Sequence, residues 1–148
     1  LFKLIKKGYE LYIGKMAQRL SFIYAKDMAD VTINALSNPN NGTYNISDGN
    51  SYTRYDFANY LKYIMKKKTL KMYMPYTLIK WVSISLEKAG NLFNKTPLLN
   101  EDKLNELTGK NWVCSIEKAK RELNFNPLFN LENGLMETVK WYRQLNWL

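Results

Sequence analysis

The residues of this 148-residue chain with the most evident chemistry are its cations. Lys and Arg number 22 against 13 Asp and Glu, a formal charge of +9, and they collect at Lys6-Lys7, Lys66 to Lys68 and Lys118 to Arg121. Such groups could hold an anionic partner: nucleic acid, an acidic membrane surface or a phosphorylated molecule. The Lys66 to Lys68 run falls at the end of an expected helix, where cations also suit the macrodipole, so most of this charge reads as solvated surface. Other chemistries are excluded by composition. The chain has no His, which removes imidazole acid–base catalysis and imidazole metal ligands. Cys114 is the single cysteine and no carboxylate cluster accompanies it, so neither a zinc nor an iron–sulfur site is expected. A single cysteine forms no intrachain disulfide and points to a reducing, cytoplasmic compartment. Gly8 and Gly14, or Gly42 and Gly49, have the wrong spacing for a phosphate-cradling loop. Asn41, Asn45 and Asn94 open glycosylation patterns that a cytosolic protein leaves unused.

Around these groups the sequence alternates strands and helices. Leu1 to Gly8 reads as the tail of a helix, Glu10 to Ile13 as a short strand ending at Gly14, and Ser21 to Ala25 as a strand rich in aromatic and branched residues. Asp27 is expected to cap the next helix, with Asp30 at its third position, and Met28, Val31, Ala35 and Leu36 share one face at helical spacing. Asn38-Pro39-Asn40-Asn41-Gly42 stops that helix. Thr43 to Ser47 follows as a strand and Asp48-Gly49-Asn50 as a turn. Thr53 and Asp56 have the spacing of a capping box and open a helix buried through Phe57, Leu61, Ile64 and Met65. Leu70 to Met74 is a strand stopped by Pro75. Tyr76 to about Phe93 is a long helix with an apolar start, Glu101 to Leu107 a short one, and Trp112 to Ser115 extended. Ser115 caps Ile116 to Leu123, and Asn124 takes the left-handed position after it. Asn130 caps the last helix, whose stripe is Leu131, Leu135, Val139 and Tyr142, widened by Trp141 and Leu145.

No linker, repeat or low-complexity tract divides the chain, so residues 1–148 form one unit long enough to bury a core. With 46% hydrophobic and 24% charged residues, the composition is that of a soluble globular protein. No stretch approaches the roughly 18 uncharged apolar residues of a spanning helix. The chain starts on Leu1, inside a helix, which is what a piece of a longer protein would do.

Four segments in order resemble the second half of the extended short-chain dehydrogenase/reductase family, the NAD-dependent epimerases and dehydratases. A strand of the form F-I-Y-V-x-D and the helix after it are matched by Phe22, Ile23, Tyr24, Asp27 and Ala29. A strand of the form G-x-x-Y-N-I is matched by Gly42, Tyr44, Asn45 and Ile46, with a spacer one residue shorter. The pattern S-K-A-x-x-E-L-G-F-x-P is similar to the stretch from Ser115 to Pro127, with Asn124 where Gly is usual. The pattern L-E-x-G-L-x-E-T-V-x-W-Y is similar to Leu131 to Tyr142.

The resemblance implies an α/β fold: the C-terminal part of a doubly wound Rossmann-type epimerase with its small mixed substrate lobe. It covers nearly the whole chain from about Leu11, so the N-terminal cofactor half, with the Gly-rich turn and the catalytic Tyr-x-x-x-Lys, is expected outside these residues. Tyr76 and Lys80, or Tyr63 and Lys67, have the catalytic spacing but do not follow the family's Ser-bearing strand, so no catalytic residue is assigned. NAD or NADP is the cofactor implied for the parent, with none bound by this part alone. The partners implied are a small-molecule substrate, the cofactor half of the same protein and a second copy of the chain. Lys15, Arg19, Tyr24, Asn100 and Lys103 are the substrate-binding residues expected from loop mouths where this family receives substrate. In members acting on sugar nucleotides an Arg precedes the F-I-Y strand; in strict register that position is Leu20, and Arg19 is one residue early. The apolar segment from Met74 and the turn Thr96-Pro97-Leu98 look more like the sterol-dehydrogenase and dihydroflavonol-reductase side of the family. The expected function is thus the substrate-binding part of an NAD(P)-dependent epimerase, dehydratase or reductase acting at an alcohol or ketone carbon of a sugar-nucleotide or lipophilic substrate. The alternative is a non-catalytic basic module that binds anions or an acidic membrane through Lys66 to Lys71, with Tyr73, Tyr76 and Trp81. No nucleic-acid motif is present.

Overall fold

The computed structural model of the chain describes residues 1–14, 18–37, 41–92 and 101–148, with the side chains of 86–92 and 101–103 outside that description. In chain order the elements are α1 (Phe2–Lys6), β1 (Tyr9–Ile13), β2 (Arg19–Leu20), α2 (Ala25–Leu36), β3 (Tyr52–Thr53), α3 (Arg54–Met65), β4 (Leu70–Met74), α4 (Tyr76–Leu92), α5 (Glu101–Thr108), β5 (Asn111–Trp112), α6 (Glu117–Leu123) and α7 (Leu131–Gln144). The mixed α/β class is as the sequence implies.

Two small sheets carry the strands. β1 and β4 pair in parallel, Tyr9 opposite Leu70 through Ile13 opposite Met74. The pairing is lengthened at both ends, where Leu70 donates its N–H to the Gly8 carbonyl and Gly14 donates to the Met74 carbonyl, each at 2.9 Å. Gly8 sits at φ +87°, a left-handed conformation that lets α1 run into β1 across two residues. In the second sheet β2 is central, antiparallel to β3 and parallel to β5.

The larger core joins α1, β1, α3 and α7 through Ile5, Tyr12, Leu61, Met65, Leu135 and Val139. α3 is fixed at its start by the expected capping box: Asp56 donates its N–H to the Thr53 hydroxyl and its carboxylate accepts the Thr53 N–H. Asn130 caps α7 by accepting the Asn133 N–H at 2.9 Å. A smaller core packs α2 against α6 through Val31, Ile116, Ala119, Leu123 and Phe125. Asn124 takes the left-handed position, φ 51°, after α6.

Four local expectations differ from the fold, the last of them the Ser115 cap. First, none of the strand expected over Ser21 to Ala25 forms: β2 lies upstream at Arg19–Leu20, and α2 begins at Ala25 with Tyr24 as its N-cap. Asp27 therefore does not cap this helix. It is the third helical residue, 2% exposed, and it accepts the backbone N–H groups of Leu128 at 3.1 Å and Phe129 at 3.0 Å. A buried carboxylate needs donors, and two amides of the approach to α7 outweigh a local cap. Second, Thr43 to Ser47 joins no ladder among the described residues. Tyr44 and Ile46 still pack on the smaller core while Thr43 and Asn45 are exposed, the period-two alternation of a strand without a hydrogen-bonded neighbour. Third, the apolar face of α2 is buried only at Val31; Met28, Ile33 and Leu36 are exposed, Leu36 to 83%. Ser115 acts one residue early, accepting the Glu117 N–H at 3.4 Å, while Ile116 holds the N-cap of α6. Among the described residues no helix is long and apolar enough to cross a membrane.

Candidate functional site

β1 and β2 both border one cavity. It holds about 330 Å³ and is walled by Leu11 and Ile13 from the end of β1, Leu20 and Phe22 from the end and continuation of β2, Phe57 from α3 and Leu107 from α5, with Leu1 at its margin. Leu11 and Ile13 on β1, and Gln18, Leu20 and Phe22 through β2, recur at every second residue, so the cavity lies against one face of each strand. Its polar lining is Tyr12, Gln18 and Arg54.

Arg54 organises the mouth. It is the first residue of α3, next to the Thr53 cap. Its Nη1 donates to the Ile13 carbonyl and its Nη2 to the Gly14 carbonyl, both at 2.8 Å. Its own backbone N–H donates to the Gln18 carbonyl at 3.3 Å, so one residue holds the chain on both sides of 15–17. Gln18 is held further by its amide, which donates to the carbonyls of Gly109 at 2.8 Å and Leu107 at 3.2 Å. The guanidinium lies 5.2 Å from the Tyr12 ring and 5.0 Å from the Tyr55 ring, a cation–π arrangement. Its Nε is buried without a hydrogen-bond partner. Its Nη2 also donates to the Tyr55 hydroxyl at 3.0 Å. The charge is thus met by carbonyls, a phenol oxygen and ring faces, and among the described residues no salt bridge to a carboxylate accompanies it. Arg54 holds the Tyr55 phenol below its usual range, with Tyr73 and Lys71 acting in the same direction against burial.

Tyr12 ties this cavity to a buried carboxylate. Its hydroxyl donates to Glu10 Oε2 at 2.6 Å; Lys62 Nζ lies 2.7 Å from Oε1, and the Thr69 hydroxyl donates to the same oxygen. Burial pushes the Glu10 carboxyl up, but Lys62, Thr69 and Tyr12 together outweigh it and hold the group below the usual carboxylate range. Burial, followed by the Glu10 bond, raises the Tyr12 phenol.

Phe22 and Phe57, with ring centroids 5.4 Å apart, separate this space from a second cavity of about 210 Å³. Tyr24 lines the second one, its ring 4.6 Å from that of Phe129 and packed over Gly134, where an added Cβ would lie 3.2 Å from the ring. Asp48 is on the same wall and accepts the Tyr52 hydroxyl at 2.5 Å, while the Tyr52 oxygen accepts the Leu131 N–H at 3.2 Å. Burial, then Asp48, pushes the Tyr52 phenol up to about 12.

The expected binding residues are therefore not gathered in one place. Arg19 does not line the larger cavity; it bonds Ser51, Nε to the hydroxyl at 2.7 Å and Nη2 to the carbonyl at 3.3 Å. Alternation along β2 gives Leu20 to the cavity instead. Tyr24 belongs to the smaller cavity. Lys15 and Asn100 lie outside the described residues, and Lys103 is placed in α5 with its side chain outside the description. Neither Tyr76 with Lys80 nor Tyr63 with Lys67 lines either cavity. Arg54, Gln18 and Tyr12 went unrecognised in the sequence. Arg54 left one signal: a cation in the first turn of a capped helix opposes the macrodipole and needs another reason to be there.

No protein-family model matches the chain. Among curated proteins it is similar to the 3β-hydroxysteroid dehydrogenase/Δ5→4-isomerase of Mycobacterium tuberculosis, 26% identical over 153 residues that cover 98% of this chain and 41% of that protein. It is also similar to the short-chain dehydrogenase/reductase family 42E member 1 of Mus musculus, 31% identical over 105 residues, 68% of this chain and 25% of the relative. Among solved structures, UDP-glucose 4-epimerase of Thermotoga maritima superposes with a TM-score of 0.70 over 98% of this chain and 38% of the epimerase, at 18% identity. The chain thus spans about two fifths of the length of the M. tuberculosis relative and of that epimerase. In sequence the chain is thus similar to parts of a hydroxysteroid dehydrogenase and of a short-chain dehydrogenase/reductase, and its fold is similar to part of a sugar-nucleotide epimerase.

Proposed function

We propose that this chain is the C-terminal, substrate-binding portion of an NAD(P)-dependent epimerase, dehydratase or reductase, and that its substrate is lipophilic with a single polar handle. Dinucleotide and proton-transfer groups would come from a cofactor half that precedes these residues. The reading is supported by the relatives' alignment to only part of their length. It is supported as well by the strand-like Thr43 to Ser47 without a ladder neighbour and by the exposed apolar face of α2, both suited to a sheet and helices not present here.

The observation that carries the substrate class is the lining of the larger cavity. Seven apolar side chains line it against one guanidinium, one amide and one phenol, the last already bonded to Glu10. Leu20 occupies the register position where an Arg would hold a diphosphate. Removing a diphosphate from water without matching cations is costly, whereas apolar area buried against these walls contributes about 25 cal/mol per Å². Arg54 and Gln18 would orient a carbonyl or hydroxyl. The dehydrogenase whose name specifies a hydroxysteroid supports the same class.

The test has two arms. The chain, titrated with an uncharged sterol and with UDP-glucose under intrinsic fluorescence, should bind the sterol saturably and the nucleotide sugar at least tenfold more weakly; the reverse order overturns the lipophilic assignment. The full-length product of the source gene should generate NADH or NADPH from a secondary alcohol. Absence of a cofactor half from that product overturns the enzymatic reading.

A further inference from the structure

At the opposite end of β1 from the cavity is an open basic groove of about 960 Å³, lined by Lys62, Lys66, Lys67, Lys68 and Lys71, with Thr69 and Glu10 at its floor. The geometry points to a binding site for a multiply charged, phosphate-bearing anion in this groove, a place distinct from the proposed substrate cavity.

Three observations carry the assignment. Glu10 is the one carboxylate in the lining, and its 2.7 Å ion pair goes to Lys62. Lys66, Lys67 and Lys68 are exposed, and none of them makes a salt bridge among the described residues; Lys71 meets the Tyr55 ring at 5.5 Å. Four cations thus converge on one concavity with no charge of their own to satisfy them, and their repulsion is relieved by an anion. The second observation is conformational. Lys66 closes α3 in the left-handed region, φ 53° and ψ 45°, where Gly is preferred and a side chain is disfavoured. A lysine there costs stability that a glycine would return, and what it adds is an ammonium at the groove. The third is rigidity. The backbone that bears the lysines is pinned by Lys67 N–H to the Lys62 carbonyl at 3.0 Å and Leu70 N–H to the Gly8 carbonyl at 2.9 Å, so the cations are presented on a fixed frame rather than on a free tail.

The ligand chemistry is vicinal phosphates, which a flexible cluster of lysines grips as point charges. A soluble polyphosphate and a phosphorylated lipid headgroup share that chemistry. Calorimetric titration of the chain with inorganic tripolyphosphate, and sedimentation with phosphatidylcholine vesicles with and without a phosphoinositide, separate the sources. Saturable 1:1 binding of tripolyphosphate, or pelleting only with the phosphoinositide, is the expected result, and either weakens at least tenfold from low to high salt. Lys67→Gln with Lys68→Gln should weaken it at least tenfold, while Lys3→Gln, away from the groove, leaves it unchanged. Lys66→Gly is the discriminating variant: melting temperature should rise while affinity falls. No binding of either probe, or equal affinity in the Lys67/Lys68 variant and the parent chain, overturns the assignment.

Discussion

The Asp27 carboxylate accepts the backbone N–H of Phe129 at 3.0 Å across 102 residues of chain. Through this bond and its partner at Leu128, the start of α2 is fixed to the approach of α7, and Tyr24 and Phe129 are held in ring contact at the wall of the smaller cavity. Asp27→Ala leaves two amides without that acceptor and should cost about 2–4 kcal/mol. Asp27→Asn, which keeps one acceptor oxygen, should cost roughly half as much. Urea unfolding of the two variants measures the difference, and equal losses would mean that the charge and not the acceptor geometry matters.

Gly134 lies beneath Tyr24, and a Cβ there would stand 3.2 Å from the Tyr24 ring and 3.4 Å from its Cβ. Ala is ordinarily the better helix former by about 1 kcal/mol. Here the ring is already packed on Phe129 and cannot retreat freely, so Gly134→Ala should destabilise by about 1 kcal/mol. A rise in melting temperature would show that the ring yields.

Glu10 is held below the usual carboxylate range by Lys62, Thr69 and Tyr12 in spite of burial. The folded state therefore binds its proton less readily than the unfolded chain. The stability from this group is present above the ordinary carboxylate pKa of about 4.3 and is lost as pH falls through the lowered folded value. Glu10→Gln should cost about 2 kcal/mol at neutral pH and should flatten the acid limb of the stability profile. A parallel offset, with the acid limb unchanged, would place the acid sensitivity elsewhere.

Tyr52 has the opposite sign. Burial and Asp48 push its phenol up to about 12, so its contribution is present below the unfolded value of about 10 and is lost as pH rises through about 12. Tyr52→Phe should reduce the alkaline loss and, by freeing the Leu131 amide, lower neutral stability by about 1 kcal/mol. Circular dichroism across the alkaline range reads both effects.

Met28, Ile33 and Leu36 expose an apolar face of α2 with no cover. Such faces self-associate, so the isolated chain should sediment as an oligomer whose size falls on dilution. Ile33→Glu with Leu36→Lys should return it toward a monomer. A parent chain that is monomeric at high concentration would mean that this face is tolerated in water.

Several local rules hold in the fold: the Thr53–Asp56 box, the Asn130 cap and the left-handed Asn124 rest on neighbours within a few residues, while the Ser115 cap is displaced by one residue. The departures share a different cause. Asp27 reads as a cap locally, and its true partners are a hundred residues on. Thr43 to Ser47 has a strand's alternation, but a ladder needs a neighbour, and none of the described elements supplies one. The site was the least legible part. Single-residue alternation decides between Arg19 and Leu20, and a guanidinium that serves a cavity by bonding carbonyls leaves no spacing pattern to find. What was readable was its electrostatic oddity, a cation at the positive end of α3.

Arg54 fastens Gly14 with its guanidinium and Gln18 with its amide, and Gln18 is fastened again at Leu107 and Gly109. Gly14 at the end of β1 and Gln18 before β2 are therefore tied to one residue, although they belong to different sheets. The two sheets share a rivet: a disturbance at Arg54 reaches both of them and the foot of α5 together, so this position has little freedom to vary even where its charge is not required.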